Sequence, residues 1–243
     1  MHGWAMNASK SAMDLKGVLI LIILCASWGL NQVAIKVAIQ GISPVLQAGI
    51  RSLGAGILVF FWMRFRGTPI FRKDQSLWWG LVIGLLFSAE FILIYWGLEY
   101  TSASRSAIFL NTSPFVVALG AQAFVPGERL TRIQVAGLGL AFAGIVIVFR
   151  DSLGLESSAM LIGDAMLLGA ALFWGSVTVI IKASPLSRIS PGKVLLYQLM
   201  VSGALLPPAS LALGEPGIVT LSSQVISCLA YQIIWVAFIT YLV

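Results

Sequence analysis

Eight long apolar stretches, joined by short polar segments, constrain the fold of this chain more than any other feature. They fall at about 17–37, 45–63, 77–98, 104–125, 131–149, 160–182, 192–213 and 224–243. Each is close to the roughly 20 residues that a helix needs to cross the ~30 Å hydrocarbon core of a bilayer. Lipid cannot satisfy backbone N–H and C=O groups, so a spanning segment of this length must be helical. The sequence therefore predicts an all-α polytopic membrane protein with eight transmembrane helices.

The composition argues against a soluble fold and against nucleic acid as a partner. Hydrophobic residues make up 59% of the chain and charged residues only 10%, against roughly 25% charged residues in soluble domains. The formal net charge is +6. Because the basic side chains lie mainly between the apolar stretches, they predict membrane orientation rather than nucleic-acid binding.

The distribution of Lys and Arg predicts a cytoplasmic N-terminus. With that orientation the cytoplasmic side receives Lys10, Lys16, Arg64, Arg66, Arg72, Lys73, Arg129, Arg132, Lys182, Arg188 and Lys193. The opposite side receives only Lys36, Arg105 and Arg150, while Arg51 lies within a helix. Basic residues are retained on the cytoplasmic side of membranes. We therefore expect a multi-pass protein of a bacterial-type inner (plasma) membrane.

An internal repeat relates the two parts of the chain. Residues 26–36 resemble residues 172–182, with the Trp-Gly pair, a valine, an isoleucine and the final lysine in common. Further matches are Ser43-Pro44 with Ser190-Pro191 and Gly56 with Gly203. The repeat unit is five helices, and an odd number places the two copies in the membrane with opposite orientations. Inverted repeats of this kind are typical of secondary transporters, whose binding site lies at the repeat interface near the bilayer midplane.

The repeat also predicts the domain organisation. A cytoplasmic tail covers residues 1–16, a first five-helix repeat covers residues 17–150, and a second repeat covers residues 160–243 with three of its five helices. We therefore expect a C-terminal truncation, with eight of ten transmembrane helices present.

Four polar side chains are predicted to share one layer deep in the membrane. At a rise of about 1.5 Å per residue, Asn31, Arg51, Glu90 and Asn111 all lie about 20 Å from the cytoplasmic surface of a ~30 Å core. Ionisable groups at such depth are costly and usually functional. We predict that Arg51 receives a substrate carboxylate, that Glu90 receives an ammonium group or a proton, and that the asparagines orient the substrate. The alternative is a buried structural salt bridge with helix-linking amides.

Further substrate-site candidates lie in the second repeat and at matched positions. Trp28 and Trp174 correspond across the repeat and are predicted to line the cavity, although close helix packing at Trp-Gly is an alternative. Thr178 and Gln198 are the other candidates from the second repeat. Pro114 removes a backbone hydrogen bond and is predicted to kink the fourth helix.

Catalytic and metal chemistry find little support. The single histidine is His2, in the tail, and both cysteines, Cys25 and Cys228, lie in apolar stretches. No nucleotide-binding loop, zinc-ligand cluster or serine–histidine arrangement is present in the sequence. We therefore expect no enzyme activity, no metal and no cofactor. A membrane-embedded enzyme and a non-transporting scaffold or channel-like protein are the competing hypotheses.

The order and spacing of several short motifs resemble the EamA-type drug/metabolite transporters. The motifs are Ala26-Ser27-Trp28-Gly29, Ile42-Ser43-Pro44 followed by Arg51, Tyr100-Thr101-Ser102-Ala103-Ser104, Asn111-Thr112-Ser113-Pro114, Pro126-Gly127-Glu128-Arg129-Leu130-Thr131 and Ala143-Gly144-Ile145-Val146. The resemblance implies a ten-helix fold of two inverted repeats, with a central cavity walled by helices 1 to 4 and their counterparts. It also implies export of small metabolites such as amino acids.

The combined expectation is a secondary transporter, or permease, that exports amino acids or related compounds by alternating access. Its expected partners are the lipid bilayer, a small metabolite, protons and a second copy of the chain in a homodimer. Glu90 matches no general motif of the family, so its proton-coupling role rests on its predicted depth alone.

Overall fold

The computed structural model describes residues 15–70, 75–148, 150 and 157–242. Its helices are α1 Leu15–Ala38, α2 Pro44–Phe65, α3 Ser76–Tyr100, α4 Ala103–Leu110, α5 Ser113–Phe124, α6 Arg132–Val148, α7 Ser158–Ala183, α8 Pro191–Ala212, α9 Ser223–Ala230 and α10 Thr240–Leu242. A 3-10 turn, Pro185–Arg188, follows α7, and a π-helical segment, Tyr231–Ile239, joins α9 to α10. The described part of the chain is thus an all-helical bundle, as predicted.

The predicted crossings correspond to the observed helices, with three differences. Among the described residues, six spans are long and apolar enough to cross a membrane, and two shorter apolar helices, Arg132–Ile147 and Ser223–Ile239, stand where the fifth and eighth crossings were predicted. The first helix begins at Leu15, two residues before its predicted start, and residues 1–14 lie outside the described part. The fourth crossing is not one continuous helix, because α4 ends at Leu110 and α5 begins at Ser113.

Proline chemistry explains this interruption. Pro114 occupies the first turn of α5, where its missing N–H leaves no hydrogen bond unmade. Its ring would clash with the preceding turn of a continuous helix. The predicted kink at Pro114 is therefore a break of two residues, Asn111 and Thr112, between two shorter helices.

The packing of α2 against α8 reflects the inverted repeat. A Cβ atom added at Gly203 would lie 2.9 Å from the Cα of Leu53, and one added at the corresponding Gly56 would lie 3.4 Å from the Cβ of Leu199. Each glycine thus admits the partner helix at close range, as small residues do in membrane interfaces. Helices of the two repeats also pack on each other elsewhere. Helix α3 packs along α7, and α1 packs on α9 and the π-helical segment.

The burial pattern is that of a protein surrounded by lipid. Large apolar side chains such as Phe61 and Leu172 are more than half exposed on the outside of the bundle, whereas Arg51, Glu90 and Gln232 are no more than 3% exposed. Polar groups that would be expensive in hydrocarbon therefore face the protein interior.

Candidate functional site

A small cavity lies at the centre of the bundle, where the two repeats meet. Its volume is about 40 Å³. The lining side chains are Trp28, Asn31, Gln32 and Ile35 of α1, Arg51 of α2, Glu90, Phe91 and Ile94 of α3, Leu110 of α4, Trp174 of α7, Val236 of the π-helical segment and Tyr241 of α10. Five of the eight predicted site residues, Trp28, Asn31, Arg51, Glu90 and Trp174, are therefore brought together in this central cavity.

Arg51 presents unfilled hydrogen-bond donors to the central cavity. The side chain is 1% exposed, and its Nε and Nη1 atoms have no hydrogen-bond partner in the described part of the protein. Its guanidinium lies 4.4 Å from the centroid of the Phe91 ring, and the Tyr241 hydroxyl interacts with it. A buried donor without a partner is costly, so this guanidinium is suited to receive an anionic group.

Glu90 faces the same cavity without closing onto Arg51. The carboxyl group is 3% exposed and interacts electrostatically with Arg51. Within the described residues, however, no ion pair with an N···O distance of 4.0 Å or less joins the two side chains. The structural alternative of a direct buried salt bridge is therefore not what the structure contains. An opposite pair of charges with a space between them can instead accommodate a third group.

Two amide oxygens add hydrogen-bond acceptors to the cavity. Both Asn31 Oδ1 and Gln32 Oε1 are buried and lack a hydrogen-bond partner among the described residues. Gln32 was not predicted from the sequence, although an amide side chain within an apolar span was a signal for it. Unfilled carbonyl oxygens suit a ligand that carries N–H donors.

An aromatic wall closes one side of the central cavity. The rings of Trp28 and Trp174 meet edge to face with centroids 6.3 Å apart, and Trp28 lies at the same centroid distance from Tyr241. Trp28 Nε1 donates a hydrogen bond of 3.1 Å to Thr240 Oγ1. Tyr241 was not predicted, because a tyrosine near the end of an apolar stretch is usually an interfacial anchor.

The other predicted substrate-binding residues lie outside the central cavity. Asn111 is exposed at the break after α4, and its amide donates to the Ala107 oxygen at 2.7 Å, so it does not face the central cavity with Asn31, Arg51 and Glu90. Thr178 hydrogen-bonds the Trp174 carbonyl of its own helix. Gln198 is buried on α8 without lining the cavity.

A second, larger cavity lies beside the first, and we call it the vestibule. It has a volume of about 680 Å³. Its lining comes from α5, the segment after α5, the start of α6 and α7, and includes Pro114, Ala118, Glu128, Trp174 and Lys182. Trp174 lines both cavities. Lys182 and Glu128 form an ion pair of 2.9 Å at the mouth, with side chains 45% and 46% exposed.

A buried ion pair joins α4 to α7 at the end of the bundle opposite the Glu128–Lys182 pair. Arg105 at the start of α4 donates from Nε to Asp164 Oδ1 at 3.1 Å and from Nη2 to Oδ2. Thr101 Oγ1 also donates to Asp164 Oδ1, at 3.1 Å. Lys36 reinforces this end by donating to the Leu98 oxygen at 2.8 Å and to the Thr101 oxygen. Two donors from one guanidinium give a directional, charge-assisted contact.

A buried amide network fastens the last helical segment to the core. Gln232 Oε1 accepts hydrogen bonds from Gln47 Nε2 at 3.1 Å and from Tyr95 Oη at 2.8 Å, and Gln232 Nε2 donates to the Ala34 oxygen at 3.3 Å. Gln232 lies in the π-helical segment, a conformation often found at functional sites.

The described residues contain no group of three or more His, Cys, Asp or Glu side chains that could hold a metal ion.

An inverted-repeat helical bundle with a charged cavity at its centre defines this molecule as a membrane transporter. The EamA-like transporter family matches residues 15–150. Since this match covers more than half of the 243 residues, the chain belongs to the EamA-like transporter family.

Similar proteins agree with this membership. The chain is 28% identical over 238 residues to an uncharacterized transporter of Archaeoglobus fulgidus, covering 95% of this chain and 79% of that one. It is 32% identical over 147 residues to a probable amino-acid metabolite efflux pump of Escherichia coli, covering 60% of this chain and 46% of the pump. The match thus spans about half of the pump's length.

A solved crystal structure shares the fold. It superimposes with a TM-score of 0.70 over 92% of this chain and 76% of the other, at 20% sequence identity. At this identity the likeness concerns the fold alone, and it extends well into the second repeat.

Proposed function

We propose that this protein is a secondary transporter that exports small zwitterionic metabolites, amino acids above all, by alternating access. The observation that carries the proposal is that Nε and Nη1 of Arg51 have no hydrogen-bond partner among the described residues, and that Arg51 lines the central cavity together with Glu90 without an ion pair between them. Similarity to the Escherichia coli relative, a probable amino-acid metabolite efflux pump, supports the same substrate class.

The charges of the cavity match a zwitterion. A carboxylate would accept from one of the unpartnered donors of Arg51, Nε or Nη1, which is a charge-assisted interaction. An ammonium group would donate to Glu90 and to the free oxygens of Asn31 and Gln32, and the aromatic wall would contact an apolar side chain. Each protein charge then faces an opposite charge, so desolvation of the ligand is compensated.

The size of the cavity supports an alternating-access mechanism. One water needs about 10–15 Å³ of such volume, so a cavity of about 40 Å³ holds a few waters and no amino acid. The described conformation is therefore occluded, and binding requires the surrounding helices to move apart. Inverted repeats accomplish such movement by rocking around a fixed central site.

Glu90 is proposed to couple transport to protons. It is a carboxyl group within the central cavity, where the substrate ammonium and a proton would compete for it. Export of one would then favour uptake of the other. Exchange without a proton gradient would still proceed through the same site.

Flux measurements test the substrate and the roles of both charged residues. In proteoliposomes we expect exchange of labelled amino acids, and flux for none of them would contradict the proposal. Arg51→Gln removes charged hydrogen bonds of about 1.5–3 kcal/mol, which corresponds to about a ten- to 150-fold loss of affinity. Arg64→Gln, an exposed arginine of the same helix, is the matched control and should leave affinity unchanged.

The coupling experiment uses a second matched pair. Glu90→Gln should abolish stimulation by an imposed pH gradient while exchange continues. Glu99→Gln makes the same chemical change at an exposed position of α3 and should keep the stimulation. Unchanged coupling in Glu90→Gln would return this carboxyl group to a structural role.

We also propose that the protein lies in the inner membrane with a cytoplasmic N-terminus. Under that orientation the Glu128–Lys182 ion pair lies at the cytoplasmic end and Arg105–Asp164 at the outer end. Labelling of single cysteines introduced near Arg188 and Glu215 from one side of intact cells tests this topology. Only the position near Glu215 should react with a membrane-impermeant reagent added outside.

A further inference from the structure

Trp174 is the residue that the two cavities share. Among the described residues it lines both the central cavity, of about 40 Å³, and the vestibule, of about 680 Å³. Its side chain is half-buried. Movement of this side chain would connect the small polar cavity to the much larger vestibule, which reaches Glu128.

The two tryptophans of the aromatic wall are held differently. Trp28 is fixed through its indole N–H by Thr240, and Thr240 is itself anchored to the Val236 oxygen at 2.6 Å. The indole N–H of Trp174 has no hydrogen bond within the described residues, and its side chain is held by packing on the hydrophobic core and by the edge contact with Trp28. A change of rotamer at Trp28 would break its hydrogen bond to Thr240, whereas Trp174 can change rotamer without breaking a hydrogen bond.

The other end of the bundle is held by a buried ion pair. There Arg105 and Asp164 are buried, with side chains 3% and 7% exposed, and they bridge α4 to α7 through two contacts. Opening that end requires separation of buried charges, which is expensive unless water reaches both. The Glu128–Lys182 pair at the vestibule is already about half exposed.

We infer that the Trp174 indole is a movable barrier through which substrate passes between the vestibule and the central cavity. Substrate therefore enters the central cavity from the Glu128 end. In the closed state the Trp174 ring packs against the Trp28 ring, which stays in place. This inference rests on the proposed transport function for its physiological meaning. Its test measures access to the cavity, so the barrier and the transport activity can fail independently.

Thiol accessibility tests the barrier directly. In a background of Cys25→Ser and Cys228→Ser, a reporter cysteine is introduced as Asn31→Cys in the central cavity. The protein is placed in lipid nanodiscs, where both ends are accessible, and the rate of reaction with a charged methanethiosulfonate reagent is measured. Because minor open states are typically about 0.1–10% populated, Trp174→Ala should raise the rate at least about tenfold. Trp174→Phe, which leaves a smaller ring, should give an intermediate rate.

Two further variants identify the route. Ala118→Trp narrows the vestibule and should reduce the increase caused by Trp174→Ala. Asp164→Asn weakens the opposite end and should leave the rate at Asn31→Cys close to the background. An increase with Asp164→Asn and none with Trp174→Ala would overturn the inference.

A second reporter separates opening of the barrier from general loosening. Ser52→Cys lies on α2 at a fully buried position that lines neither cavity. It should stay unreactive in every variant that remains folded. If it becomes reactive in Trp174→Ala, the milder Trp174→Phe decides, and an unchanged rate at Asn31→Cys in that variant would refute the barrier.

Discussion

The glycines of the α2–α8 interface allow a sharp test of the packing between the two repeats. Gly203→Ala would place a Cβ atom 2.9 Å from the Cα of Leu53, which belongs to the backbone and cannot rotate away. The corresponding Gly56→Ala would meet the flexible Met200 Sδ at 3.0 Å and Leu199 Cβ at 3.4 Å. Two equivalent positions thus receive the same methyl group against different neighbours.

The expected destabilisation follows from two opposing contributions. Overpacking in a tight interface costs about 1–3 kcal/mol, while alanine is favoured over glycine within a helix by about 0.5–1 kcal/mol. Because the Leu53 backbone cannot rotate away, overpacking at Gly203 takes the upper part of its range, about 2–3 kcal/mol, and the net loss for Gly203→Ala is about 1–2.5 kcal/mol. The net effect of Gly56→Ala is near zero because Met200 can move. At about 2–4 °C per kcal/mol for a chain of this size, Gly203→Ala should lower the Tm by about 2–10 °C.

Thermal unfolding in one detergent, followed by tryptophan fluorescence, measures this difference. Gly137→Ala on α6 is the control, because a Cβ atom there meets nothing within 4 Å, and it should leave the Tm unchanged or slightly raised. The reasoning is refuted if Gly203→Ala unfolds at the same temperature as Gly137→Ala, or if Gly56→Ala is the more damaging of the pair.

Three further predictions concern polar contacts. Asp164→Asn leaves Arg105 buried without its anionic partner and should cost about 3–5 kcal/mol, measured as a fall in Tm that a double exchange of the two residues partly reverses. Lys182→Gln breaks only an exposed pair and should cost about 0–1 kcal/mol, with a smaller effect at high salt; a larger fall than for Asp164→Asn would contradict the burial argument. Gln232→Leu leaves its two side-chain partners, Gln47 Nε2 and Tyr95 Oη, without their acceptor and should cost about 1–3 kcal/mol for each, whereas Gln224→Leu, at an exposed position, should be neutral by the same assay.

Helix positions and much of the central cavity could be predicted from the sequence because membrane depth can be counted along a chain. Arg51 and Glu90 enter from opposite ends, and a constant rise per residue placed them correctly at one level. The matched Trp28 and Trp174 were found through the internal repeat. Pattern and depth thus determine which residues share a layer of the bundle.

The same count could not give the direction in which a side chain points. It treated the fourth span as one helix, but the break before Ser113 changes the rotation of the chain, and Asn111 points outward at that break. Gln198 is likewise buried but does not point into the central cavity. Gln232 was missed for a different reason, because its network depends on contacts with residues far away in the sequence.

The break between α4 and α5 has a mechanical consequence. Since each half of this span has its own ion pair to α7, the two ends need not open together. Separating the exposed Glu128–Lys182 pair costs about 0–1 kcal/mol. A substantial fraction of the molecules therefore has this pair separated at any moment. Separating the buried Arg105–Asp164 pair without hydrating both charges leaves two uncompensated charges, so it costs at least the roughly 3–5 kcal/mol that the loss of one partner costs. Such a separation is rarer by about two orders of magnitude or more. By these contacts alone, α5 can move relative to α7 by bending at Asn111 and Thr112. Helix α4 stays bound to α7 until water hydrates the Arg105–Asp164 pair.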